Sequence, residues 1–306
     1  LTHTEAALLV ALPQSPERRR PDLFPLAAFQ AKTKVLETIS TRINLDLHKL
    51  EELKKEPLPV RLSRPKSIAL HVEDRLIQNH NAVIETSINA SWQRDLISIL
   101  SASVQKYEKP INIAGLVVER RTGLVKAYAG SSSYIDNDRK GSVNYLTALR
   151  SPGSTLKPLI YAKALERKLI EEGHIFKDSQ IQRGGYTPSN FDKIFNGQVT
   201  LKEALNRSLN IPAIQTLELI GVDGFENSLR TFIAQDIMQN YKSGLTAAVG
   251  GFYLSAENLA EIYLEIADPG HSSKLRFDTE EPELTSSHLI NSNTSEKILR
   301  IMSQRN

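Results

Sequence analysis

The 306 residues include no cysteine, which excludes disulfides, thiolate catalysis and cysteine-based zinc sites. Disulfide-free proteins occur in oxidising and reducing compartments alike, so this absence does not locate the protein. The seven histidines show no HExxH or comparable ligand spacing, and no metal or other cofactor is expected. No stretch approaches the roughly 20 apolar residues needed to span a bilayer. The longest apolar runs, Ala6 to Leu12 and Ile113 to Val118, suit a buried helix and a strand. Charge of one sign is also scarce: the net value is only +3, without the clustered basic bias of a nucleic-acid binder. The chain opens Leu1-Thr2-His3, with neither an initiator methionine nor a basic-then-apolar leader. It reads as an excerpt, with any membrane anchor or export signal upstream.

What remains is ordinary globular composition, 40% hydrophobic and 24% charged, enough for one large domain or one domain plus a smaller piece. Thr2-His3-Thr4-Glu5 is a capping-box pattern that predicts a helix ending at Pro13 and Pro16. A single second helix is expected over residues 26–53, carried by Val35, Leu36, Ile39, Ile43 and Leu47. Residues 54–65, rich in Lys, Glu, Pro and Arg, read as a linker or domain edge. A strand is expected over 82–88, then a helix from Ser91 with Trp92, Leu96, Ile97, Ile99, Leu100 and Val104 on its apolar face. Two β-prone runs, 111–119 and 124–129, flank Arg120-Arg121-Thr122-Gly123 and predict a hairpin. After a loop at 130–142, the turn Arg150-Ser151-Pro152-Gly153 precedes helical periodicity from Ser154. Further helices are expected over 201–209, 211–220 and 255–266.

A serine hydroxyl is a poor nucleophile at neutral pH and needs a neighbour to take its proton. In Ser154-Thr155-Leu156-Lys157 the two side chains stand one helical turn apart on the same face. The Pro-Gly turn would place Ser154 at a helix N-terminus, where amide N–H groups favour developing negative charge. Burial would lower the pKa of Lys157 and equip it to accept that proton. The alternative reading is an N-capping serine beside a surface lysine. The same pattern occurs at Ser63-Arg64-Pro65-Lys66 and Ser103-Val104-Gln105-Lys106, but without a hairpin upstream, a Pro-Gly turn and a long apolar helix downstream. Ser208-Leu209-Asn210, at a helix end before Ile211-Pro212, offers a hydroxyl to relay a proton and an amide to hold a substrate carbonyl. Ser-x-x-Lys followed by a Ser-x-Asn-type loop is the order found in serine β-lactamases and penicillin-binding enzymes.

In combination these motifs resemble class A penicillin-binding proteins, the 1C subtype in particular. The resemblance runs through Arg150 to Pro158, Tyr186-Thr-Pro-Ser-Asn-Phe-Asp192, Val199 to Leu205, Ser208 to Pro212 and Gly244-Leu-Thr-Ala-Ala-Val-Gly-Gly251, and covers nearly the whole chain. It also includes Thr4 to Pro16, which resembles the last motif of the attached peptidoglycan glycosyltransferase domain. The implied architecture is α+β, an antiparallel sheet with helices on both sides. Residues 1–60 would be the end of the glycosyltransferase domain, 61–110 a linker region and 111–306 the transpeptidase domain, with Ser154 on its buried central helix. Arg18 to Arg20 are either the remains of a glycan-binding face or a solvated turn.

The resemblance implies that Ser154 attacks the D-Ala-D-Ala carbonyl of a peptidoglycan stem peptide, with Lys157 as base, Ser208 as proton shuttle and Asn210 as substrate ligand. Asn190, Gly250 and Gly251 would contact substrate, and the Ser154 amide would supply half of an oxyanion hole. β-Lactams would acylate the same serine, on the periplasmic face of the inner membrane, beside cell-wall synthesis partner proteins and without nucleic acid. The family's glycosyl-transfer glutamates precede residue 1, so no glycan polymerisation is expected. Its third motif, Lys-Thr-Gly, is not found where expected. Lys242-Ser243-Gly244 has similar letters but runs directly into the glycine-paired segment, and reads as a decoy. Two rivals stand beside the transpeptidase: a serine β-lactamase or carboxypeptidase of the same fold, and a fold that binds peptidoglycan without turnover.

Overall fold

The structure, a computed structural model, describes residues 2–42, 45–58, 67–77, 84–229, 232, 243–269, 274–279 and 289–304. Ile43, the Ser63–Lys66 motif, the first residues of the expected strand at 82–83, and Lys242 lie outside these. The chain forms two compact units, residues 1–67 and 68–306.

In the first unit, Thr2 and Glu5 form the expected capping box. Thr2 Oγ1 accepts from the Glu5 amide at 3.1 Å, and the Glu5 carboxylate accepts from the Thr2 amide at 2.8 Å. Helix α1, His3–Ala11, then tightens into a 3-10 turn at Pro13. The single helix expected over 26–53 is instead two, α2 (Pro25–Ser40) and α3 (Leu47–Lys55). The break follows a cluster of hydroxyl residues that bond back along the chain. Thr38, Ser40 and Thr41 donate to the carbonyls of Lys34, Glu37 and Thr38 at 2.8, 2.8 and 3.1 Å, competing with helical hydrogen bonding. Ala7, Leu36, Leu50 and Leu53 form the core. Lys32, fully buried on α2, donates its ammonium to the carbonyls of Lys54 and Glu56 at 3.1 and 3.0 Å. It thereby satisfies acceptors that the end of α3 leaves open.

The second unit is α+β. Residues 68–110, expected within a linker region, carry α4 (Leu70–Leu76) and α5 (Ala90–Val104), and both pack on the hairpin that follows. Asn89 caps α5 by accepting from the Ser91 and Trp92 amides at 3.0 and 3.1 Å. Its buried face differs from the apolar pattern. Trp92 and Ile99 are 51% and 61% exposed, while Gln93 is buried with Leu100 and Val104. Gln93 behaves like a strand neighbour: its carbonyl accepts from the Tyr128 amide at 2.7 Å, and its Nε2 donates to the Tyr128 carbonyl at 2.9 Å.

The hairpin pairs β1 (Gly115–Val118) antiparallel with β2 (Val125–Ala129), with a register shift at Val117/Val118. A second antiparallel pair joins β3 (Ile175–Asp178) to β4 (Gly197–Thr200). The strands of the described residues thus form two small pairs rather than one continuous sheet.

Helix α6, Lys157–Glu166, is the buried centre, with every side chain from Lys157 to Leu165 inside. Leu159 and Ile160 join Ala213, Ile214 and Leu217 of α8 (Asn210–Ile220) in the main core. Each such Leu or Ile stabilises the fold by about 2 kcal/mol. Between β4 and α8 lies α7 (Leu201–Asn206), opened by a Thr200–Glu203 capping box. Completing the unit are α9 (Val222–Ser228), a 3-10 stretch at Gly244–Val249, α10 (Ala256–Ala267) and α11 (Ser292–Ser303).

Candidate active site

Ser154 does not begin an α-helix. It sits in a 3-10 turn, Gly153–Leu156, and α6 starts only at Lys157. The tighter turn suits the pair, because side chains at i and i+3 eclipse in 3-10 geometry and Ser154 and Lys157 therefore project to one side. Gly153, at φ +57°, makes the reversal into this turn.

Three attachments hold the turn. Arg150 and Leu254 exchange backbone hydrogen bonds at 2.8 and 3.0 Å. Ser151 Oγ donates to the Gly250 carbonyl at 2.5 Å, and Tyr263 OH donates to the Thr155 carbonyl at 2.9 Å. Ser154 itself is exposed.

Lys157 is the opposite, 1% exposed. Its Nζ donates to Ser208 O at 2.5 Å, Asn210 Oδ1 at 2.7 Å and Ser208 Oγ at 3.2 Å. All three ammonium protons thus have acceptors, and among the described residues none is Ser154 Oγ. Burial pushes the Lys157 ammonium down from 10.5 to about 8, since the charged form loses hydration that the neutral amine barely needs.

The acceptors come from the α7–α8 turn. Ser208 has φ +54°, a left-handed conformation disfavoured for a residue with a Cβ, and this turns both its carbonyl and its hydroxyl to Lys157. Asn210 opens α8, and its Nδ2 donates to Ser189 O at 2.9 Å. Ser154, Lys157, Ser208, Leu205, Tyr263 and Met302 all line one cleft of about 270 Å³. Such a constellation can remove a proton from an exposed hydroxyl and pass it on.

The other expected substrate contacts are placed differently. Asn190 is 3% exposed and its amide is engaged on both sides within the protein. Gly250, at φ +100°, lies directly behind the Gly153–Leu156 turn, where an added Cβ would come within 2.6 Å of Gly153 Cα. A Cβ at Gly251 would fall 2.0 Å from Thr246 Oγ1. Both glycines thus serve close packing of Gly244–Val249 and the Ser151–Ser154 turn. Ser243 is buried, with its amide and hydroxyl bonded to Glu226, and Gly244 leads into a 3-10 stretch rather than a strand. Tyr263 and Met302 at the cleft carried no local signal in the sequence, because each arrives on a distant helix.

Residues 113–306 match the penicillin binding protein transpeptidase domain. Penicillin-binding protein 1C of Escherichia coli (strain K12) is 33% identical over 99% of this chain and 39% of its own length. Penicillin-binding protein 1F of Bacillus subtilis (strain 168) is 26% identical over 82% of this chain and 37% of its own. The chain therefore spans well under half of these relatives. Among solved structures, the penicillin-binding protein PonA1 from Mycobacterium tuberculosis aligns with a TM-score of 0.63 at 18% identity, over 77% of this chain and 68% of that one. Penicillin-Binding Protein 1A from Haemophilus influenzae aligns at 0.54 and 16%, over 94% of this chain and 60% of that one. With the domain match covering most of its length, this chain belongs to the penicillin-binding protein transpeptidase family.

Proposed function

We propose that this chain carries the serine acyl-transfer centre of a cell-wall cross-linking enzyme acting outside the cytoplasm. Ser154 Oγ attacks the carbonyl carbon between the two terminal D-alanines of a stem peptide, as its proton passes to Lys157. The peptide bond breaks, the leaving D-alanine amine takes a proton by way of Ser208, and an ester joins Ser154 to the peptide. An amine from a second strand then attacks the ester, forming a new amide and releasing Ser154. Asn210 holds substrate, and the Ser154 amide contributes to stabilising the oxyanion. A β-lactam follows the first half of this path and stops at the ester. Residues 1–60 are the end of a glycosyltransferase domain in this reading, supported by the alignment with the 1C relative over nearly the whole chain.

The observation that carries the proposal is the Lys157 ammonium: desolvated, bonded to both Ser208 and Asn210, and one 3-10 turn from an exposed serine. At pH 7 a pKa of about 8 leaves about a tenth of Lys157 as free amine, far more than for an exposed lysine. The test is intact mass and peptide mapping after exposure to benzylpenicillin. One adduct on the Ser154 peptide, absent in Ser154→Ala, is expected. An adduct elsewhere, or none at saturating drug, overturns the assignment; rapid hydrolysis of the adduct marks a β-lactamase instead.

A further inference from the structure

Strand β3 ends on Asp178, a carboxylate with no solvent exposure and, among the described residues, no lysine or arginine paired with it. Its partners are amides. Asn190 Nδ2 lies 2.9 Å from each carboxylate oxygen, and the Asn196 amide and Nδ2 donate at 2.9 and 2.6 Å. A buried anion without a counter-ion is expensive to keep, and a fold that keeps one uses its hydrogen-bonding power at close range.

Asn190 passes that power on. Its Nδ2 faces Asp178 and Ile194 O, and its Oδ1 faces the start of α8, accepting from the Asn210 and Ile211 amides at 2.8 and 3.4 Å. Helix α8 has no capping side chain of its own, since its N-cap is Leu209. The cap comes instead from a residue 20 positions earlier. A continuous path of three hydrogen bonds results: Asp178 to Asn190, Asn190 to the Asn210 backbone, and Asn210 Oδ1 to Lys157 Nζ.

We infer that Asp178 and Asn190 are positioning residues for Lys157, fixing the start of α8 so that Asn210 Oδ1 is held against Nζ. Neither touches substrate; they act through Asn210. The consequence for acylation rests on the function proposed above, whereas the consequence for Lys157 itself does not.

Two readouts separate these. One is the titration midpoint of Lys157 by NMR of labelled lysine, assigned with Lys157→Arg and needing no substrate. The other is benzylpenicillin acylation, resolved into non-covalent affinity and the acylation step. Asn190→Ala is expected to move the Lys157 midpoint and to slow the acylation step about tenfold or more, with non-covalent affinity within about twofold. Asn190→Asp, which sets two carboxylates against each other, is expected to perturb both readouts as well. Adding Asp178→Asn exchanges the pair, keeps an acceptor facing α8, and is expected to bring both back toward the wild type. If Asn190→Ala fails to fold, the Asn190→Asp single variant and the exchanged pair carry the test. An unmoved Lys157 midpoint in the single variants, or an exchanged pair that folds without recovering the midpoint, overturns the inference. A wild-type chain that takes up no penicillin defeats the proposed function, and the Lys157 midpoint still decides this point.

Discussion

Lys32 in the first unit and Lys157 in the second are two lysines buried to a similar degree and with different prospects. Both are essentially without solvent exposure, both donate to backbone carbonyls at the end of a helix, and burial lowers the pKa of both. Lys32 also lies 4.5 Å from the centroid of the Phe29 ring, and its acceptors are the carbonyls of Lys54 and Glu56. It fastens α2 to α3. Lys157 differs in what surrounds the ammonium: a serine hydroxyl, an asparagine amide, and a cleft that also contains Ser154. Desolvation alone makes a lysine easier to deprotonate; in the function proposed above, a neighbouring hydroxyl and a space for substrate are what would make Lys157 a base.

The strongest way to break this comparison is to remove each lysine in turn. Lys157→Gln is expected to slow acylation of Ser154 by about 10²- to 10⁴-fold. Lys32→Gln is expected to leave the rate within about twofold and to lower the melting temperature. Equal losses of rate would show that the two sites are not separable. Stability against pH gives the next largest effect. The Lys157 pKa is lower in the folded chain, so its charged form is disfavoured by folding. That penalty is fully present below about pH 8 and fades as pH rises toward 10.5. The depression corresponds to at most about 3 kcal/mol. Lys157→Met is therefore expected to remove the rise in stability that the wild type shows between pH 8 and pH 10, as measured by urea unfolding at both pH values. In the same range, the wild-type acylation rate should climb through about pH 8 as Lys157 loses its proton. The smallest effect concerns the turn rather than the base. Gly250→Ala, which drives a methyl group toward Gly153, should slow acylation by about tenfold. Gly173→Ala, where an added Cβ meets nothing within 4 Å, should not change it.

The two candidate-site motifs are legible because each is written in adjacent letters. Even so, the letters alone did not choose among three Ser-x-x-Lys patterns. Lys106 is exposed where Lys157 is buried, and burial is a property of the fold around α6. The α8 and α10 boundaries were readable from apolar spacing to within a residue. The break between α2 and α3 is not, because apolar letters continue past it: Leu47, expected on the inner face, is exposed, and α3 buries Leu50 and Leu53 instead. Asn190, expected at the substrate, owes its place to Asp178 and to the start of α8, a three-way meeting that no local window contains. Gly250 carries a similar lesson: the sequence displays the glycine, but its neighbour is the turn before Ser154, roughly a hundred positions away in the chain.

Ser208 has one more consequence. A serine held at φ +54° is locally frustrated by about 1 kcal/mol or more, and its own stretch of chain would relax to an ordinary turn if excised. The Ser-x-Asn motif is therefore not an autonomous device that could be transplanted as a short loop. Its letters are local, but the conformation that turns Ser208 toward Lys157 exists only while α6, α7 and α8 are assembled around it. The geometry of the site is consequently native only where the packing of α6, α7 and α8 is native.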